Sequence, residues 1–93
     1  MLEVTEMILA SIYATPMTYS EISDLPYLKT ISHYGIDFSI ETLIKRDFII
    51  EKIVDRHKYR TKEYRQRYGE VVRTQYHATK KGEKYLLEHG YLD

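Results

Sequence analysis

Apolar positions along the chain fall into six stretches, and their spacing changes from one to the next. In residues 3–14, Val4, Met7, Ile8 and Ile12 recur at helical spacing, and Leu9 and Tyr13 widen the stripe. This predicts an amphipathic helix, broad enough to pack on its own core and on a partner. Thr15-Pro16 ends it, because the residue before a proline is pushed out of the α region. Residues 18–34 carry a second helical pattern, capped by Thr18 or Ser20, with Glu21 in the first turn. Ile22, Leu25, Leu28 and Ile31 repeat every three residues and Pro26 interrupts the run, so one kinked helix or two short ones both fit. Gly35 reads as a stop. A third helix over roughly 38–46 follows, capped by Asp37 or Ser39, with Ile40, Leu43 and Ile44 as its apolar face. Asp47 stands where the chain turns, and aspartate tolerates the left-handed conformation.

The pattern then becomes that of strands. Phe48–Val54 is short, apolar and β-branched. In residues 71–78, Val72, Thr74, Tyr76 and Ala78 alternate with Val71, Arg73, Gln75 and His77, as in a half-buried antiparallel strand. The two make a hairpin whose connection spans roughly 55–70. Thr79 caps a last helix of about 80–89, with Tyr85, Leu86 and His89 on one face and Gly90 as its stop. The 93 residues form one domain, of α+β class.

The second half resembles a winged helix-turn-helix of the MarR/PadR type of repressor. Leu43, Asp47, Phe48 and Ile49 stand where that family has a leucine late in its recognition helix, a turn residue and an apolar strand start. Tyr76-His77-Ala78-Thr79-Lys80-Lys81-Gly82, followed by Tyr85-Leu86-Leu87, is similar to the family's passage from the wing into a Thr-x-Lys-Gly helix start. The family turn glycine is Asp47 here, and Pro26, Gly35 and Asp37 crowd the stretch before Leu43. The resemblance implies three helices, a two-stranded antiparallel hairpin forming a long wing, and a C-terminal helix. It also implies a transcription regulator that binds double-stranded DNA sequence-specifically. A similar size and layout is found in small regulators of archaea and their viruses.

Charge fits that expectation once it is read by segment. Fourteen basic and fourteen acidic residues cancel, but residues 1–44 hold six carboxylates and one lysine, while residues 45–81 hold twelve basic and five acidic residues. The basic stretch centres on Arg56, Lys58, Arg60, Lys62, Arg65, Arg67 and Arg73, with Tyr59, Tyr64 and Tyr68 interleaved. Arginine forks suit phosphate and guanine edges, and tyrosine hydroxyls bond phosphate oxygens. This wing is expected on the DNA backbone or in a minor groove. In the third helix, Ser39, Glu41, Thr42, Lys45 and Arg46 are the candidate major-groove residues. A two-fold homodimer joined through the first and last helices would double these contacts. The rival readings are a winged helix used for protein–protein assembly, and RNA binding with the loop tyrosines stacked on unpaired bases.

Other chemistry is not indicated. The chain has no cysteine, hence no disulfide frame or thiolate ligand, and no apolar run long enough to span a membrane. His33, His57, His77 and His89 lie far apart, without metal-ligand spacing. With no glycine-rich phosphate loop and no nucleophile elbow, neither an enzyme, nor a cofactor, nor a small-molecule ligand is expected. The expected address is intracellular, in the cytoplasm.

Overall fold

The computed structural model describes residues 1–58 and 70–92, with side chains described at 1–54 and 74–92. Its order is α1 (Glu3–Ala14), α2 (Tyr19–Ser23), a 3-10 turn (Pro26–Leu28), α3 (His33–Lys45), β1 (Ile49–Lys58), β2 (Glu70–Ala78) and α4 (Lys80–Glu88). The chain is therefore α+β, with four helices and a two-stranded antiparallel hairpin among the described residues.

Helix α1 has the expected bounds, with acidic Glu3 and Glu6 in its first turn and Thr15 leaving it in an extended conformation before Pro16. Its stripe is spent inward: Ile8, Leu9 and Ile12 are fully buried, as is Thr5, whose hydroxyl is satisfied 2.9 Å from that of Ser39 on α3. Beyond Pro16, Met17 is extended. Its N–H donates to the Tyr76 carbonyl at 3.2 Å, and its carbonyl accepts from the Tyr76 N–H at 2.7 Å. This one-residue bridge gives the hairpin base a third extended segment, which the sequence pattern does not announce.

The second helical stretch resolves into two pieces. Thr18 opens α2 with a capping box: its hydroxyl accepts from the Glu21 N–H, and the Glu21 carboxylate accepts from the Thr18 N–H. The three-residue repeat then has a direct cause. The N–H groups of Leu25, Leu28 and Ile31 donate to the carbonyls of Ile22, Leu25 and Leu28. Each bond spans three residues, and the turns they close put Ile22 and Leu28 in the core with Leu25 and Ile31 packed against it.

Helix α3 starts five residues earlier than the sequence reading placed it. Ser32 is the cap, its hydroxyl accepting from the Gly35 N–H, while Asp37 and Ser39 lie inside the helix. Gly35 is a helical residue, not a stop. A Cβ there would come within 2.9 Å of the Ile31 side chain, so the close approach of the preceding turn accounts for the glycine. Ile36, Ile40 and Leu43 form the buried stripe. At its end, the Phe48 N–H donates to the Leu43 carbonyl and the Asp47 N–H to the Ile44 carbonyl, with Asp47 at φ 60°. This is a Schellman turn with aspartate in the left-handed position. Helix α4 ends the same way, Tyr91 bonding Leu86 and Gly90 bonding Leu87, with Gly90 at φ 77°.

The strands run further than the apolar alternation does. β1 continues past Val54 to Lys58 and β2 begins at Glu70, so part of the expected 55–70 connection is paired backbone. The register runs from Ile49 opposite Ala78 to Lys58 opposite Glu70, with a bulge between Ile53 and Asp55. The core is one cluster, joining Ile8, Leu9 and Ile12 of α1 to Ile22, Leu28, Ile36, Ile40, Leu43, Phe48, Ile49 and Leu86.

Candidate nucleic-acid interface

Because α3 buries Ile36, Ser39, Ile40 and Leu43, the opposite side of the helix is left outward. Tyr34, Phe38, Glu41 and Lys45 follow one another there at helical spacing. Tyr34 is 88% exposed and Phe38 57% exposed, unusual for two aromatic rings on one helix of a small chain. Asp37 flanks the line on one side and Thr42 on the other. The Thr42 hydroxyl is turned back on its own helix, donating to the Phe38 carbonyl at 2.8 Å. Lys45 and Arg46 close the helix and are both exposed. Their positive charge sits where the helix dipole is negative, which favours it.

Of the expected groove residues, Glu41, Lys45 and Arg46 are outward and Thr42 is half-buried. Ser39 is corrected: it is fully buried, and its hydroxyl pairs with Thr5. Its place on the helix aims it at α1, so it serves the α1–α3 contact rather than the surface. Conversely, Tyr34 and Asp37 join this helix, and Phe38 moves inside it, because α3 begins at His33, ahead of the expected start at 38. The signal was present: Ser32 three residues ahead of a backbone N–H it can cap, and Ile36, Ile40 and Leu43 at helical spacing.

The angle between α2 and α3 is held by Tyr19. Its hydroxyl donates to the Asp37 carboxylate at 2.7 Å and lies 3.4 Å from Nδ1 of His33, on whose ring it stacks. The hydrogen bond to Asp37, then partial burial, pushes the Tyr19 phenol from 10 up to about 12.

At the hairpin, Ile50, Lys52, Ile53 and Val54 are exposed on the described part of β1. Arg56, Lys58 and Arg73 sit in the ladder opposite Val72, Glu70 and Asp55 respectively. Tyr59, Arg60, Lys62, Tyr64, Arg65, Arg67 and Tyr68 lie outside the described residues. Beyond the hairpin, Lys80 and Lys81 are exposed in the first turn of α4, with the Lys81 ammonium 6.0 Å from the Phe48 ring centre.

The hairpin base is locked to the end of α3. The Thr79 hydroxyl accepts from the Gly82 N–H and donates to the Asp47 carbonyl at 2.5 Å, while the Thr79 N–H donates to the Phe48 carbonyl at 2.9 Å. The turn leaving α3 and the turn entering α4 are therefore one hydrogen-bonded unit. The outer face of α3 and the strands of the hairpin are fixed to each other through it.

Among the described residues no group of His, Asp and Glu is placed to hold a metal ion, and no helix is long and apolar enough to cross a membrane. No family model, no curated protein and no solved structure matches the chain.

Proposed function

We propose that this chain is a winged-helix protein that binds double-stranded DNA sequence-specifically as a homodimer and regulates transcription. In this reading α2 and α3 are the helix-turn-helix, α3 enters the major groove, and the hairpin is a wing lying on the backbone or in the minor groove. The observation that carries it is the outward, unpartnered face of α3, tied through the Thr79 unit to a hairpin whose sequence concentrates arginine. Two supports stand beside it. The Met17–Tyr76 bridge gives the hairpin base the third extended segment of a winged helix. The positive charge of the chain is gathered in residues 45–81, from the end of α3 to the start of α4.

The test is binding to duplex DNA and single-stranded RNA over a range of salt. If about four wing charges on each of two protomers touch phosphate, log affinity falls against log salt with a slope of about −7. Changing Arg60, Arg65 and Arg67 together to Glu abolishes duplex binding and leaves the circular dichroism spectrum as it was. Duplex binding that is absent, or indifferent to salt, would overturn the proposal. A preference for single-stranded RNA turns the reading toward the loop tyrosines. Sedimentation of the free protein and of the complex tests the dimer.

A further inference from the structure

Glu41 lies mid-line on the outer face of α3, between Phe38 and Lys45. Its carboxylate is exposed and makes no hydrogen bond or ion pair to a described residue. The neighbouring carboxylate, Asp37, is occupied by the Tyr19 hydroxyl. Lys45, one turn further along, is not within ion-pair distance of Glu41. An unpaired negative charge at the centre of a face that meets a polyanion weakens binding everywhere along the duplex, through repulsion by the phosphates. It is compensated only where the carboxylate meets a donor.

The floor of the major groove offers few donors. Guanine presents two acceptors there, and thymine an acceptor and a methyl. Adenine presents its amino group next to the N7 acceptor, which a carboxylate avoids. Cytosine presents the N4 amino group, with no acceptor of its own on that edge. Phe38, on the N-terminal side of Glu41, brings no hydrogen-bonding group into the same groove, and Tyr34 brings only its hydroxyl. Their apolar faces suit a thymine methyl.

We propose that Glu41 is a specificity-determining residue that accepts a hydrogen bond from the N4 amino group of one cytosine in each half-site. This rests on the reading of α3 as a groove-reading helix. Glu41 lowers affinity for every other sequence and restores it at one base, so its contribution is discrimination rather than strength.

The experiment is selection from a random-sequence duplex pool with the full chain, the Glu41→Gln variant and the Glu41→Ala variant. The wild type recovers sites with cytosine at one fixed position of each half-site. Glu41→Gln recovers adenine there, because a glutamine amide pairs with adenine N6 and N7. Glu41→Ala recovers no preferred base there. On a defined site, replacing that cytosine by thymine weakens the wild type about tenfold and the alanine variant less than about twofold. Both variants bind random duplex more tightly than the wild type does, since each has lost a negative charge. Glu41 lies outside the core, so all three proteins give the same circular dichroism spectrum. Recovery of the same base by all three overturns the role of Glu41 and leaves duplex binding standing. Failure of the wild type to enrich any duplex overturns both.

Discussion

Gly82 occupies the point where the first turn of α4 meets the backbone of Phe48. A Cβ built on it overlaps the Phe48 carbonyl, which is fixed by its bond from the Thr79 N–H. Alanine is the better helix former by about 1 kcal/mol, but a clash with a hydrogen-bonded carbonyl costs about 1–3 kcal/mol. Gly82→Ala is expected to lower the thermal midpoint measurably. Gly35→Ala is the matched control. There the intruding neighbour is the Cγ2 methyl of Ile31, a side-chain group that can shift where a hydrogen-bonded carbonyl cannot, so the loss is expected to be smaller than at Gly82. Equal losses at both positions would show that helix propensity and crowding have been weighed wrongly. The same scale separates what the residues announce from what they conceal. Asp47 and Gly90 are legible because a left-handed turn needs residues that tolerate it. Gly35 misleads because a glycine wanted for lack of space reads the same as one wanted for its freedom. Taken as a stop, Gly35 leaves Tyr34 ahead of the expected helix and Phe38 at its very start, whereas α3 begins at His33 and carries both in the outward line.

Helices α1 and α4 are joined by polar contacts from their ends. The Tyr85 hydroxyl donates to one oxygen of Glu6 at 2.5 Å, and the Tyr91 hydroxyl to the other at 3.1 Å. The bond from Tyr85 holds the Glu6 carboxyl below its ordinary 4.5, against an opposing push from partial burial. Burial, then the bond to Glu6, moves the Tyr85 phenol up to about 12. A carboxyl with a depressed value stabilises the fold above its ordinary titration range and loses that contribution as pH falls through the folded value. A phenol with a raised value stabilises the fold below 10 and loses the contribution between 10 and about 12. Glu6→Gln is expected to be less stable than the wild type by about 1 kcal/mol at pH 7. The difference closes as the pH falls below 4.5 and through the lowered folded value of Glu6. Denaturant unfolding at a series of pH values checks it, and a gap that does not change with pH would assign the loss to packing instead. At this scale the ends of α1 and α4 follow from local chemistry: Thr15 before proline, Thr79 as cap. The reach of β1 to Lys58 does not, because beyond the bulge the ladder is carried by backbone pairing rather than by apolar alternation. Nor does the Met17 bridge, since one paired residue leaves no periodicity to read.

Over the whole molecule the first and last segments hold each other. Tyr13 bonds Glu83, Glu6 bonds Tyr85 and Tyr91, and Leu86 is fully buried with Leu9 and Phe48 in the core cluster. Removing Leu86 and its helix uncovers α1 and the hairpin base together. Loss of one such buried leucine costs about 2–5 kcal/mol, and a small domain has about 5–15 kcal/mol to lose. A chain ended at Thr79 is therefore expected to lack the cooperative melting transition of the full chain, as followed by circular dichroism. Retention of a sharp transition would show that residues 80–93 are dispensable to the core. Charge is likewise organised at this scale. A net of zero conceals an acidic front half and a basic stretch from the end of α3 to the start of α4. Attraction to a polyanion then depends on orientation rather than on total charge.

The bond that joins α1 to α4, from Tyr85 to Glu6, spans 79 residues of chain. Synthesis proceeds from the N-terminus at about 5–20 residues per second. α1 is therefore completed about 4–15 seconds before the helix that covers it. The basic stretch also leaves the ribosome in that interval, ahead of the segment that closes the frame around it. A nascent chain thus has its positive charge before it has a face to orient it. Only the last residues, from Lys80 on, bring the helix that closes the core over α1 and the hairpin base.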